Sequence, residues 1–127
     1  MSFTSDINDA KKRFPEHVEA FRQLFVKYKI NSVDSAWANM SDSAFRKDMY
    51  DLGHKVMQSD GGKITLVPLL GIIGAALGGV GIAMLGGAFG LPLALVLALV
   101  GLIVGNEADS AGYTSALMRK VKAFWEA

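Results

Sequence analysis

From Ile64 to Asn106 the chain runs 43 residues without a single Asp, Glu, Lys, Arg or His. One helix of that length would reach roughly 64 Å at ~1.5 Å per residue, about twice the ~30 Å hydrocarbon core of a bilayer. The window must therefore fold back on itself. It holds 10 of the 14 Gly, including the pair Gly86-Gly87, which makes a natural turn. The pattern predicts a helix over about 64–85 and a second over about 88–105, with Pro68 and Pro92 near their first turns, where proline is tolerated. A turn at Gly90-Leu91 is nearly as good but leaves a shorter second span.

The small residues of the first span are ordered. Gly71, Ala75, Gly79, Ala83 and Gly87 recur every four positions, with Gly74 and Gly78 as a parallel pair. Small residues let helix backbones approach closely, and van der Waals packing is the main attraction between helices in lipid. The second span repeats the motif at Ala94, Ala98, Gly101 and Gly105, with Leu and Val on its other faces. These eleven positions are the expected helix-packing and self-association residues of a glycine-zipper-like transmembrane hairpin. Two narrower readings stay open. The ladder serves only to close one hairpin, or the block is a buried hairpin in a water-borne fold, as in a toxin stored before insertion.

The flanks carry all the charge. Residues 1–63 read as a small helical head with linker, and residues 107–127 as a short amphipathic helix. The head opens with a stripe of Ile7, Ala10, Phe14, Val18, Phe21, Phe25 and Tyr28 at helical spacing, with Ile7, Phe14, Phe21 and Tyr28 seven apart. Pro15 interrupts it, which predicts one helix near 5–13 and another over about 15–29. Asn31-Ser32 reads as a stop, and Val33–Met40 as a short helix or ordered loop. Ser41 reads as the N-cap of a helix over about 42–58 with the stripe Phe45, Met49, Leu52 and Val56. Ser59-Asp60-Gly61-Gly62 is a breaker cluster and the expected boundary before the apolar block. About 60 residues is marginal for an independent core, so the head is expected to lean on copies of itself, the membrane surface or a protein partner.

The tail lines up Tyr113, Leu117, Val121, Phe124 and Trp125 on one face, with Arg119, Lys120 and Lys122 toward the other. Lys63, Tyr113, Arg119, Lys120, Lys122 and Trp125 are the expected interface residues of a membrane-bound chain. A tail packed on the head is the equal alternative. Ten Lys/Arg precede the block and three follow it, which by the positive-inside rule sets both termini in the cytoplasm. The first 30 residues hold four acids and no apolar run, so no secretory signal is read and a bacterial inner membrane is the default placement.

Chemistry is hard to find. The balance of 13 Lys+Arg against 12 Asp+Glu gives no general drive toward nucleic acid. Zero Cys excludes disulfides, thiolate zinc sites and Cys nucleophiles. His17 and His54 lie far apart on different expected helices. Gly61-Gly62-Lys63 ends like a phosphate loop, but Met57 and Ile64 stand where Gly and Ser/Thr are required. Asp48 and Asp51 share a helix with Arg46, Lys47 and Lys55, which reads as solvated ion pairs. Asn39-Met40-Ser41 matches a glycosylation sequon of the kind that arises by chance. No catalytic residue, cofactor or metal is expected.

A Gly-rich two-helix hairpin is superficially similar to the rotor-ring subunit of rotary ATP synthases. That family carries a mid-membrane carboxylate on its second helix, and only Leu, Val, Ala and Gly stand there in this chain. The expectation is an all-α protein that works as an oligomer in a lipid bilayer. It would form a pore or permeabilise the membrane, a physical design shared by holin-like proteins, small toxins and defence effectors. The alternatives are a structural or adaptor subunit anchoring a secretion, envelope or virion assembly, and a protein that shapes membranes by wedging one leaflet.

Overall fold

The computed structural model describes residues 3–62, 64–82 and Leu97. The turn at Gly86-Gly87, the second span apart from Leu97, and the tail over 107–127 lie outside the described residues. Within them every regular element is a helix: α1 (Phe3–Arg13), α2 (Pro15–Lys27), α3 (Val33–Asn39), α4 (Ser43–Gln58) and α5 (Leu66–Gly79), with a single 3-10 turn over Ser59–Gly62.

The head follows its stripes. Ile7, Ala10, Phe14, Phe21 and Phe25 are buried, with Val18 and Tyr28 partly so. Phe14 leaves the helical region at φ −130° and ψ 47°, and Pro15 begins α2 where its missing N–H deprives no carbonyl. The Phe14 N–H still bonds the Ala10 carbonyl at 2.8 Å, so the break is one residue wide.

Helix α2 ends before Asn31-Ser32. Its C-terminus closes in a Schellman motif, with Ile30 N–H on the Phe25 carbonyl at 2.8 Å and Lys29 N–H on that of Val26 at 3.0 Å. Lys29 takes the left-handed position at φ 58°, where Gly is usual. Ser32 is therefore no stop. It starts α3 through a reciprocal cap with Ser35, each hydroxyl accepting from the other's backbone N–H at 3.0–3.1 Å.

A second correction concerns α4. Its cap is Asp42, whose Oδ1 accepts from Ala44 and Phe45 N–H at 2.8 and 3.4 Å, and Ser41 stands outside the helix. The expected stripe holds, since Phe45, Met49 and Val56 are buried and Leu52 packs at the edge. A second line on the same helix, Arg46 and Gly53, is also buried.

The largest departure lies in the apolar block. After the 3-10 turn, where Gly61 and Gly62 take φ 69° and 77°, the chain doubles back as α5. This helix packs on α1 and α2 foremost, and on α4 at fewer points. Ile64, Leu69, Ile72, Ile73, Ala76 and Leu77 join the same core as Phe21, Phe25 and Phe45. The head therefore leans on the chain's own apolar helix. Leu97 is fully buried in that core as well.

Helix α5 does not run to residue 85. It ends at Gly79, and Gly81 at φ 95° closes it with a second Schellman motif. Ile82 N–H bonds the Leu77 carbonyl at 3.1 Å, and Gly81 N–H that of Gly78 at 3.2 Å. Gly78 and Gly79 each lower helix stability by roughly 1 kcal/mol relative to Ala, and Gly81, past the end of the helix, takes the left-handed position that Gly reaches without strain. Ile82, 4% exposed, is thereby carried into the core. The 14 residues of α5 span about 21 Å, short of a ~30 Å core. Among the described residues no helix is long and apolar enough to cross a membrane.

Candidate functional site

The feature that sets this molecule apart is α5 and what covers it. From Gly71 to Leu77 all seven residues are buried, nearly two turns with no face left to water. At the entry, Thr65 and Val67 are exposed; at the exit, Gly78 and Gly79 are exposed. The interior of the helix is thus sheathed and its two ends are open.

The expected small-residue ladder divides along this line. Gly71 lies against the backbone of α1. A Cβ placed there would stand 2.5 Å from the Asp6 carbonyl oxygen and 3.4 Å from the Asp6 Cβ. Backbone cannot rotate away as a side chain does, so this contact requires Gly. Gly74 and Ala75 are buried beside it. Gly78 has open space around its Cβ position. Gly79 meets the stem of Arg22 from α2, at 3.1 Å to Cδ and 3.5 Å to Cγ. Arg22 lays its methylenes over Gly79 while its guanidinium holds Glu19 through two bonds, Nε to Oε1 at 2.7 Å and Nη2 to Oε2 at 2.6 Å. That pair draws the Glu19 carboxyl down to about 2, with Gln23 adding a second donor. Along the face of Gly71, Ala75 and Gly79, α1 lies against Gly71 and the Arg22 stem of α2 touches Gly79, which stays exposed. Ala83, Gly87, Ala94, Ala98, Gly101 and Gly105 lie outside the described residues, as do Lys63, Tyr113, Arg119, Lys120, Lys122 and Trp125.

Where α1 meets the start of α5 there is a small cleft of about 150 Å³. Asp6, Asp9, Arg13 and Phe14 form one wall, and Val67 and Pro68 the other. Arg13 is spent on Asp9 at 3.1 Å and on the face of Phe14, 5.0 Å from its centroid.

The polar residues bind helices together. Asp48 reaches across from α4 to α2, accepting from Tyr28 Oη at 2.6 Å and Lys27 Nζ at 3.1 Å. The Tyr28 hydroxyl and then Lys27 hold the Asp48 carboxyl below its usual range, and the same contact pushes the Tyr28 hydroxyl up to about 12. The expectation of solvated pairs along α4 is met by Lys47 with Asp51, at 3.0 Å. Arg46 is buried, 4% exposed, and donates from Nη1 to the Met40 carbonyl at 2.8 Å, which fastens α4 to the end of α3. Its signal was present in the sequence: Arg46, Met49, Gly53 and Val56 form a stripe at spacings of 3, 4 and 3.

His17 and Ser59 join the start of α2 to the turn that leads into α5. The Ser59 hydroxyl donates to the Val56 carbonyl at 2.5 Å, which leaves its oxygen to accept from His17 Nε2 at 3.2 Å. His54 packs against Tyr50 with ring centroids 4.3 Å apart and planes tilted by 43°. Asn39 spends its side-chain amide on the carbonyls of Tyr28 and Ser35, at 3.2 and 2.8 Å, a packing role at the sequon position. Among the described residues no group of three or more acids or histidines comes together to hold a metal. Compared with protein-family models, curated proteins and solved structures, the chain finds no match.

Proposed function

We propose that this protein is a membrane-active effector that folds with its apolar segment sheathed and acts by exchanging that sheath for lipid. Once in the bilayer, copies associate through the small-residue positions of the block and permeabilise the membrane. One observation carries the reading: Gly71–Leu77, within 43 consecutive uncharged residues, is fully buried, and its main described neighbours are the amphipathic helices α1 and α2 of the same chain. The chain holds far more uncharged sequence than a head of about 60 residues needs for a core. Once α5 leaves the core and lengthens past Gly79, the 43 uncharged residues suffice for two adjacent spans of bilayer length. In this reading the stored-hairpin and pore alternatives become two states of one molecule, with both termini on the side from which insertion starts.

The adaptor reading has less support. The aromatic stripes it would offer to a partner, Phe14, Phe21, Phe25 and Phe45, are buried in the chain's own core. Tyr50 and Val26 are the large apolar side chains left exposed on α4 and α2.

Dye release from vesicles, with wild type beside Gly79→Leu, tests the proposal. Gly79 is the ladder position to change, because among the described residues a side chain there meets the flexible stem of Arg22, which can move aside, and the sheathed fold should survive. Wild type should release dye, and the variant should insert without assembling and release little. Silence from an inserted, oligomeric wild type would remove the permeabilising reading. Equal leakage from both would remove the ladder.

A further inference from the structure

The three covers of α5 are not held alike. Helix α2 brings Phe21, Leu24 and Phe25 into the core, and α4 brings Phe45, Met49 and Val56. Among the described side chains of helix α1, Ile7 and Ala10 are buried. Its main anchorage is against α5 rather than α2. Its closest contact there is backbone on backbone, Asp6 over Gly71. It joins α2 through the single non-helical residue Phe14, followed by a proline. A helix that packs chiefly on one neighbour and joins the rest of the chain through a one-residue break can part from that neighbour as a unit.

We propose that α1 is the detachable cover of the apolar helix, and that it swings away at Phe14 as a unit while α2–α4 remain folded. The inference rests on the proposed membrane function for its consequence: release of α1 uncovers Gly71 for the helix contacts that follow in lipid. Gly71 cannot serve both at once. While Asp6 lies on it, no second apolar helix can approach that face, so the docked α1 holds the protein inactive. Freeing α1 alone is a smaller step than unfolding the bundle, and a destabilised α1 therefore lowers the barrier to insertion selectively.

Two alterations test this in the full chain. Gly71→Ala puts a methyl against the Asp6 carbonyl, whereas Gly78→Ala, on the same helix with open space around it, is the matched control. In the opposite sense, Asp9→Cys with Val67→Cys, facing each other across the α1–α5 cleft of a chain that has no Cys of its own, accept a short reducible cross-linker that pins α1 down. Amide hydrogen exchange in water is read first. Gly71→Ala should speed exchange in α1 by about tenfold or more while α4 stays within about twofold of wild type. Acceleration of α1 and α4 together would overturn the proposal, because α1 would then not open alone.

Release of a self-quenched dye from vesicles of phosphatidylethanolamine with phosphatidylglycerol is read second. Gly71→Ala should release faster than wild type, the cross-linked protein should be at least about tenfold slower, and cleaving the linker should restore the rate. Leakage from the cross-linked protein at the wild-type rate would overturn the cover and leave the permeabilising function standing. Selective opening of α1 with no leakage from any form would support the cover and overturn the permeabilising function. Should Gly71→Ala fail to fold, the cross-linked pair still decides the matter.

Discussion

Helices α4 and α5 are of similar length, 16 and 14 residues, and reach the core by opposite routes. Helix α4 offers a stripe. Phe45, Met49 and Val56 go inward while Lys47, Asp51 and Lys55 stay in water. Helix α5 has no solvated face along Gly71–Leu77 and no charge to put on one. A striped helix specifies which side is buried and against what depth. A uniformly apolar helix specifies only that it must be enclosed, and leaves open whether protein or lipid does the enclosing. In this fold protein does so, with α1 and α2 as the main described neighbours and Leu97 in the same core. The difference teaches where instability is stored: α4 is content at the surface, while α5 depends on its covers staying in place.

The comparison breaks most sharply if α5 accepts charge. Ile73→Lys would bury an unpaired ammonium at a fully buried position, costing about 4 kcal/mol or more and removing the cooperative thermal transition. The mirror change on α4, Lys55→Ile, should leave the melting temperature nearly untouched. Should Ile73→Lys melt like wild type, the enclosure of α5 would be wrong. Next in size, Phe45→Ala deletes a fully buried ring and should cost about 3–5 kcal/mol in denaturant titration. It tests whether α4 contributes as much to the core as its stripe implies.

Smaller effects sharpen the local assignments. Asp42→Ala removes the acceptor for two N–H groups at the start of α4 and should cost about 0.5–2 kcal/mol. Ser41→Ala should be close to neutral, and the reverse order would restore Ser41 as the cap. Gly78→Ala, in open space on a helical turn, should raise stability by up to about 1 kcal/mol.

The smallest expected effect is the pH dependence of the α2–α4 tie. Asp48 titrates below its ordinary 3.8 when folded, so its contribution is complete above that value and fades as pH falls through the lowered one. Tyr28 is raised to about 12 from 10.0, so its contribution is complete below 10.0 and is lost as pH rises through about 12. Asp48→Asn should flatten the acid limb of a stability–pH profile and bring the alkaline limb down toward 10.0. An unchanged profile would mean that the contact is not made in solution.

Much of the head was legible because its helices carry periodic information. The stripe from Ile7 to Tyr28, the break at Pro15 and the face of α4 each follow from residue spacing and from what proline lacks. The caps were read less well. Ser41 and Asp42 are both good cap residues, and which one serves depends on where α3 delivers the chain. Arg46 misled because charge outweighs position in a sequence reading. Its stripe partners were apolar or small, and the Met40 carbonyl that receives it is contributed by another turn of chain.

The sequence alone determines that the chain is helical where described, that its first half is amphipathic, and that 43 consecutive residues cannot face water as a charged surface would. Only the tertiary structure decides where the first apolar helix stops, which glycine is in close contact and what lies over it. Glycine is the reason. It accepts the helical and the left-handed conformation with little preference, so nothing local tells Gly81 from Gly78. Burial of Ile82 makes the choice, and the approach of α1 gives Gly71 a backbone contact where Gly78 has open space and Gly79 meets a flexible side chain.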